Sequence, residues 1–421
     1  MPTIDHLHGL EILDSRGRPT VQASCELSSG ATASASVPSG ASTGAAEAVE
    51  LRDGDPGRYR GLGCRRAVEN IATVVQESLV GREFEGQRQL DEALLTLDGT
   101  PDKSRLGANA ILAVSLAYAR AAAQEMGLPL YRYFAALLGQ DLRFLPRPTI
   151  NLFSGGKHAG GQVPIQDLLL VPLSPQSFTE ALAMTFEIYQ TAAERVERRY
   201  GMRLLTADEG GLAPPFAGVE AMFENALEAI DAAGFTAGRE VALAVDVAAS
   251  HFYWDGSYHL DDETLDGAAM VGRLQRWCES YPILSVEDGL AEEDWESWRD
   301  LTDRLGEKVV LLGDDLLCTD AVRIRHARTA GAANALLLKV NQVGTLTEAA
   351  EAYRLARAAA WKVVASARSG ETEDNWLADL AVGWRGDAVK IGSITQSERL
   401  AKYNRLLAIE AETGLPLAPF P

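Results

Sequence analysis

Six ionisable residues each follow, directly or within one residue, a short apolar run in the C-terminal two thirds of the sequence. In chain order they are Asp246, Glu287, Asp314, Lys339, Arg368 and Lys390. Three carboxylates on successive strands would give an oxygen-rich site suited to Mg²⁺, and three cations facing them could receive an anionic substrate. Any single member could instead be a solvated strand end or half of a structural ion pair. The order, carboxylates first and cations after, favours one shared site.

The apolar runs before these residues predict the elements that position them. They lie at 241–245, 283–286, 309–313, 335–338, 363–367 and 388–389. Successive polar residues are 22 to 41 residues apart, about one strand–helix unit, which predicts an α/β fold with a parallel sheet covered by helices. So many units favour a closed β/α barrel of the TIM type, whose catalytic residues come from several strand ends.

An open, doubly wound sheet is the alternative to a barrel. It would carry a GxGxxG phosphate loop after its first strand, and the sequence has none there. The segment Gly155-Gly156-Lys157-His158 superficially resembles a P-loop, but it lacks the Walker spacing and the final Ser or Thr.

The N-terminal third has a different pattern. Alternating residues at 21–27 and 31–37, separated by Ser28-Ser29-Gly30, predict a β-hairpin, and an Ala/Leu-rich stretch from Ser104 to Met126 predicts a helix. Strands followed by helices indicate an α+β domain. Glycine and proline between 139 and 148 predict a boundary near residue 140, giving an N-terminal domain over 1–139 and a catalytic barrel over 140–421.

Composition excludes several classes of partner. The net charge of −20 argues against nucleic acid and anionic membranes, which require a basic surface. No apolar stretch is long enough to predict a membrane span, and the N-terminus lacks the pattern of a secretory signal, so we expect a cytoplasmic protein. The four cysteines have no CxxC spacing and are expected to be buried thiols.

Seven segments carry a specific resemblance to a known family. They are LDSRG (13–17), SGASTG (39–44), DEGG (208–211), SVEDGL (285–290), LKVNQ (338–342), RSGET (368–372) and SER (397–399). Together they resemble the signature segments of the enolases, over about residues 9 to 410. The resemblance implies a magnesium-dependent lyase that removes water from a small phosphorylated hydroxy acid, and a homodimer or higher oligomer. Enolase-type sites pair a Lys or His base with one or two Mg²⁺ ions.

The resemblance also implies two Mg²⁺ ions per active site. Asp246, Glu287 and Asp314 match the ligands of the tighter ion. Ser39, on a Gly/Ser loop, matches the position that helps bind the second ion when the loop closes. Two ions on the substrate carboxylate would stabilise the charge that develops when the neighbouring carbon loses a proton.

Two residues match the acid–base pair. Lys339 matches the general base, and we expect nearby cations and the metals to favour its neutral form. Glu209 matches the acid that protonates the departing hydroxide.

Further positions match substrate contacts. Arg368 and Ser369 match phosphate ligands, and Lys390 matches the partner of the substrate carboxylate. His158 and Gln166 match residues that line the pocket. The alternatives are that His158 is merely exposed in a glycine-rich loop and that Gln166 is a satisfied loop amide.

Three residues depart from the family pattern. Enolases have histidine where this chain has Ala367, and glutamate where it has the catalytic candidate Asp167, which is one methylene shorter. In the family both positions lie near the leaving hydroxyl. Lys157 replaces a small residue and would add a cation to the substrate-binding set. Drift without consequence is one explanation, but two changed contacts at one reacting group favour a modified substrate.

The departures leave two enzymatic functions open. One is glycolytic enolase, acting on 2-phosphoglycerate. The other is an enolase-like paralogue of phosphonate biosynthesis, such as carboxyphosphonoenolpyruvate synthase, whose substrate carries an extra carboxylate on phosphorus. A non-catalytic binding protein is a more remote reading, because it predicts loss of a metal ligand or the base, and all are present.

Overall fold

The N-terminal part of the chain is a three-stranded antiparallel sheet followed by helices. The computed structural model describes residues 2–41, 44–201 and 205–420. The sheet has the order β1 (Ile4–Leu13), β2 (Pro19–Leu27), β3 (Thr32–Ser36). The helices are α1 (Arg65–Asn70), α2 (Gln76–Leu79), α3 (Gln87–Asp98), α4 (Ala108–Glu125) and α5 (Leu130–Leu137). The predicted hairpin is confirmed, and so is the α+β character of this region.

Helix α4 starts four residues later than the periodicity predicts. The chain turns at Gly107, which precedes the helix with a φ of 96°, a conformation that favours glycine. The helix is buried along nearly its whole length, because β2 and β3 cover one side while α3 and α5 pack on others. Its many alanines allow this close packing on several sides.

The rest of the chain is a closed barrel of eight strands. The remaining strands are β4 (Arg147–Ser154), β5 (Asp167–Pro172), β6 (Val241–Asp246), β7 (Tyr253–Trp254), β8 (Ser257–Leu260), β9 (Glu263–Leu265), β10 (Ile283–Glu287), β11 (Val310–Gly313), β12 (Ala335–Leu338), β13 (Lys362–Ser366) and β14 (Ala388–Gly392). The barrel order is β10-β11-β12-β13-β14-β4-β5-β6, and β7–β9 form a separate small meander. The predicted closed β/α barrel is confirmed.

Eight helices accompany the barrel strands within the described residues. They are α6 (Phe178–Tyr200), α7 (Val219–Ala232), α8 (Gly267–Ser280), α9 (Trp295–Leu305), α10 (Ala321–Ala330), α11 (Leu346–Ala358), α12 (Trp376–Gly383) and α13 (Ser397–Thr413). Two strands come first, then α6 and α7, and then six strand–helix units. None of the helices in the described ranges is long and apolar enough to cross a membrane.

The six strands predicted from the apolar runs are parallel, but one further strand of the barrel is not. β5 runs antiparallel to both neighbours, β4 and β6. The reason is the connection: residues 155–166 contain a single 3₁₀ turn and no helix, whereas a parallel pair needs a helical crossover. Because β5 is reversed, its first residue, Asp167, lies at the end of the barrel where the parallel strands finish, opposite Asp246 in the ladder.

The barrel interior is completed by a side chain from the C-terminal segment. Small and medium apolar residues from six of the strands line it, and Phe420 packs among them. Several of these residues, including Ala242, Ala335 and Ala388, lie at the amino-terminal ends of their strands, so Phe420 closes the end opposite the predicted site. Backbone hydrogen bonds between Leu145 and the segment around Leu417 hold the tail in place.

A buried carboxylate ties the two parts of the molecule together. Asp91 of α3 accepts hydrogen bonds from the backbone and hydroxyl of Thr347, at the start of α11, at 2.9 and 2.6 Å. Its other oxygen accepts from Ser115 at 2.7 Å and from Gln87 at 3.0 Å. Burial outweighs these four donors and raises the pKa of Asp91 from 3.8 to about 6.

This pKa predicts a pH-dependent difference between the protein and its Asp91→Asn variant. Between pH 4 and pH 6 the unfolded chain ionises Asp91 while the folded chain keeps the proton, so the wild type loses stability as pH rises through this window. The isosteric amide does not titrate. Urea unfolding should therefore show the variant gaining on the wild type by about 2 kcal/mol between pH 4 and pH 6. A difference in unfolding free energy that stays constant with pH would contradict this prediction.

Candidate active site

The barrel brings the six predicted strand-end residues to one rim. Strands β6, β10, β11, β12, β13 and β14 are consecutive around the barrel, and their carboxyl ends share one mouth. All six side chains are buried there. Asp246 and Glu287 are direct ladder partners on neighbouring strands. The register of the sheet therefore fixes which charges stand next to each other.

The ammonium of Lys390 bridges two of the acidic residues. Its Nζ donates to Asp246 Oδ2 at 2.6 Å and to Glu287 Oε2 at 2.7 Å. Lys339 forms a second ion pair between neighbouring strand ends, donating to Asp314 Oδ2. Three buried acids and two buried lysines thus neutralise one another in part, as isolated charges at these positions would be strongly unfavourable.

The pKa shifts follow from this arrangement. Burial favours neutral Asp246, but the charge of Lys390 outweighs it and lowers the pKa of Asp246. Burial and the neighbouring Asp246 together raise the pKa of Glu287 well above its ordinary value. For Lys390, burial is outweighed by Asp246 and Glu287, and its pKa is raised well above 10.5.

In the protein without bound ions the pKa of Lys339 is raised, whereas the expectation of a neutral amine concerns the site with its metals and stays a prediction. Burial and the nearby Arg368 and Lys390 favour the neutral amine, as predicted, but the charge of Asp314 outweighs them and raises the pKa of Lys339. The ion pair with Asp314 is the reason. Lys339 must leave this pair before it can accept a proton.

The acidic residues suit a hard divalent cation. Glu287 Oε1 is buried and has no hydrogen-bond partner among the described residues, and an unpartnered carboxylate oxygen beside two further carboxylates is a fitting Mg²⁺ ligand. Asp246, Glu287 and Asp314 would hold the ion. In the described ranges, two other trios have ligand atoms within 4.8 Å of one another: His158–Asp167–Glu209 and Asp288–Asp314–Asp315. The predicted trio is not as close, since Lys390 and Lys339 each bind its members.

One narrow cleft at the mouth collects most of the predicted residues. It is lined by Ala41, His158, Gln166, Glu209, Asp246, Lys339, Ser366, Ala367, Arg368, Ser369 and Lys390. His158 is buried, so the alternative that it is merely exposed in a glycine-rich loop is wrong. Gln166 donates to Asp246 at 3.2 Å, while its own Oε1 has no partner in the described part of the chain. It is therefore only half satisfied and presents an acceptor.

The guanidinium of Arg368, which lines the cleft, binds a carboxylate that the sequence analysis did not identify, that of Glu47. Arg368 donates through both terminal nitrogens to Glu47, each at 3.1 Å, and to Asn341 Oδ1 at 3.0 Å. Glu47 lies three residues after the Gly/Ser segment at 39–44 that resembles the family. A planar fork that grips a carboxylate in this way can also grip a phosphate.

Two further arginines fix the loop that carries Arg368 and Ser369. Arg16 donates to Ser369 Oγ at 3.1 Å, and Arg399 donates to the carbonyls of Arg368 and Ser369 at 2.7 and 2.6 Å. The signal for them was present in the sequence: they belong to the segments at 13–17 and 397–399, which were noted for resemblance but given no role.

Five predicted residues do not line the cleft: Ser39, Lys157, Asp167, Glu287 and Asp314. The hydroxyl of Ser39 donates to Glu50 at 2.9 Å and accepts from Arg52 at 2.7 Å, so in this conformation it is held by the N-terminal domain. Lys157 is exposed and does not line the cleft. Ser42 and Thr43, in the same motif as Ser39, lie outside the described residues.

His158, Asp167 and Glu209 form a connected group at the side of the cleft. His158 Nδ1 is 2.9 Å from Asp167 Oδ2, and its Nε2 is 4.0 Å from Glu209 Oε1. Burial lowers the pKa of His158, but Asp167 and Glu209 outweigh it and raise the value to about 9. For Glu209, burial is outweighed by the charges of His158, Arg399 and Lys390, and its pKa is lowered. A positive imidazolium thus stands beside a negative carboxylate.

Comparison with family models agrees with this fold. The chain matches the model described as "Enolase, N-terminal domain" over residues 4–134 and the model described as "Enolase, C-terminal TIM barrel domain" over residues 142–417. The fold and the charged mouth are those of an enolase-superfamily enzyme. The chain belongs to the enolase family.

The acidic residues predict a measurable cation affinity. Glu287→Gln removes one carboxylate and its unpartnered oxygen, so Mg²⁺ binding followed by calorimetry should weaken at least about tenfold, since each charged ligand contributes strongly to binding a hard cation. Asp91→Asn, which changes a buried carboxylate far from the mouth, should bind Mg²⁺ as the wild type does. Equal affinities in all three proteins would remove Glu287 from the set of ligands.

Proposed function

We propose that this enzyme is a Mg²⁺-dependent hydro-lyase that removes water from 2-phosphoglycerate, or a close phospho- or phosphonoglycerate analogue, to give an enolpyruvate product. The observation that carries the proposal is the cleft that Lys339 and Glu209 line together with Arg368 and Lys390. It combines an amine base, a carboxylic acid and two anion-binding cations around one small volume. An anionic substrate with a phosphate and a carboxylate is complementary to this set.

The protein groups divide the work between them. Arg368 and Ser369 bind the phosphate, and Lys390 faces the substrate carboxylate. Bound Mg²⁺ supplies positive charge that stabilises the carboxylate as it gains electron density. Lys339 removes the proton from the carbon next to that carboxylate once it has left Asp314.

The departing hydroxide needs a proton from the opposite side. Glu209 is the acid in this proposal, and it must be protonated first, because its pKa is lowered in the ligand-free protein. The Nε2 of His158, 4.0 Å away, is the neighbouring group that can carry this proton. The base and the acid are thus separate groups that can act in sequence.

A second candidate is a paralogue with a modified substrate. The methyl group of Ala367 lines the cleft, so the space that a histidine would fill is open to a larger substrate. Lys157 gives this reading no support, because it lies outside the cleft. The proposal includes a cytoplasmic location and a homodimer or higher homo-oligomer, both from the family resemblance.

Turnover of 2-phosphoglycerate with Mg²⁺, followed by the ultraviolet absorbance of the enol product, tests the function. Rates typical of metabolic enzymes, on the order of 1–10³ s⁻¹, would support the glycolytic reaction. Rates lower by several orders of magnitude with intact Mg²⁺ binding would favour the paralogue. Absence of turnover with every phospho- and phosphonoglycerate tested would contradict the proposal.

Removing the base should separate metal binding from proton abstraction. In Lys339→Ala, exchange of the substrate C2 proton with solvent deuterium, measured by NMR, should fall at least about 10³-fold, since general base catalysis and the alignment of the base are both lost. Mg²⁺ binding should persist. Exchange at the wild-type rate in this variant would show that another group is the base.

Substituting Ala367 with a larger residue should discriminate between the two candidate substrates. If Ala367 is the reason for a modified specificity, Ala367→His should raise kcat/KM for 2-phosphoglycerate by about 10–100-fold, the range expected for one restored polar contact. Ala367→Leu, which fills the space without a polar group, is the matched control. A histidine variant no more active than the leucine variant would count against this explanation.

A further inference from the structure

Asp167 lies behind the cleft and has both of its carboxylate oxygens occupied. The side chain is fully buried and does not line the cleft, although His158 and Glu209 do. One oxygen, Oδ2, faces the Nδ1 of His158 at 2.9 Å. The other, Oδ1, accepts a hydrogen bond from the hydroxyl of Ser154 at 2.6 Å. A carboxylate with both oxygens engaged and no path to the cleft is placed to act through His158.

Ser154 is placed in the barrel so that its hydroxyl has one hydrogen-bond partner among the residues that the structure describes. It is the final residue of β4, fully buried, and the direct ladder partner of Asp167 on β5. Its backbone nitrogen donates to the carbonyl of Leu212, in the segment that also carries Glu209. Gly211 leaves room for the hydroxyl: a Cβ there would lie 2.5 Å from Ser154 Oγ. The hydroxyl therefore has a fixed position against Asp167.

Strand β4 also holds Glu209, the proposed acid. Asn151, three residues earlier on β4 and fully buried, donates its side-chain Nδ2 to Glu209 Oε2 at 3.0 Å. The two oxygens of Glu209 thus differ: Oε2 is held by Asn151, and Oε1 faces His158 Nε2. One rigid strand orients both acids of the group through hydrogen bonds from its side chains.

We propose that Ser154 and Asp167 are positioning residues which hold His158 with its Nδ1–H directed at Asp167 and its Nε2 directed at Glu209, on the side of the cleft where the hydroxide departs. This role rests on the proposed function, because it concerns the departure of the hydroxide and not the removal of the C2 proton by Lys339. Ser154 fixes the rotation of the Asp167 carboxylate, Asp167 fixes the tautomer and plane of the imidazole, and the imidazole stays aligned with Glu209. No atom of Ser154 or Asp167 touches the substrate in this arrangement.

Substitution of Ser154 tests the role by separating two half-reactions. In Ser154→Ala, elimination should slow about tenfold with KM nearly unchanged, because a hydrogen bond to a charged group is lost while the anion-binding residues stay in place. C2 proton exchange, which depends on Lys339, should continue, so the ratio of exchange to elimination should rise.

A chemically matched control is available in the N-terminal domain. Ser115 donates its hydroxyl to the buried carboxylate of Asp91 at 2.7 Å, the same kind of bond at a residue that does not line the cleft. Ser115→Ala should lower the melting temperature in the same way but leave the ratio of exchange to elimination unchanged. A merely structural role for Ser154 would make the two variants behave alike, and that result would overturn the proposal.

A double-mutant cycle covers the case in which Ser154→Ala folds poorly. Asp167→Asn keeps the shape of the side chain and should reduce elimination more than Ser154→Ala does. The double variant should be no slower than Asp167→Asn alone, since both residues act through one imidazole. Fully additive losses would overturn the proposal. If the wild type itself neither exchanges the C2 proton nor eliminates water, the proposed function fails and this role fails with it.

Discussion

The interaction on which the rest of the site depends is the contact of one buried ammonium, Lys390, with two carboxylates on neighbouring strands. Desolvating three charged groups is so unfavourable that none of them could occupy the barrel mouth alone. The contact exists only if β14, β10 and β6 keep their register, because Asp246 and Glu287 are ladder partners. Barrel closure and the charged site therefore depend on the same strand register. Without that register, these three buried charges would have no partners.

Much of the architecture could be predicted from the sequence because it rests on local patterns. An apolar run of four or five residues identifies a buried strand, and the polar residue that follows marks its end. Once several such units are assumed to close into a barrel, the strand ends must converge. Lys339, Asp314 and Arg368 come together for this reason, although each was identified only by its immediate neighbours in sequence.

The features that were missed depend on contacts between distant segments. The pair of Glu47 and Arg368 joins residues 321 positions apart, and no periodicity links them. The reversal of β5 depends on the length and shape of one loop. The raised pKa of Lys339 depends on its contact with Asp314, whose charge outweighs the effect of burial. Lys157 adjoins a residue of the cleft in sequence, yet the 3₁₀ turn at Gly156–His158 points it to solvent.

The position of Phe420 has a consequence for the order in which the molecule is made. During synthesis, domains generally fold as units from the N-terminus, and the sheet β1–β3 with its helices has all its residues early. The barrel interior does not, because its last apolar side chain arrives with residue 420, more than twenty residues after β14 ends. A ribosome still enclosing that segment leaves the floor of the barrel open. Tight packing of the barrel core must therefore wait until Phe420 has left the ribosome, which happens later than for any of the barrel strands.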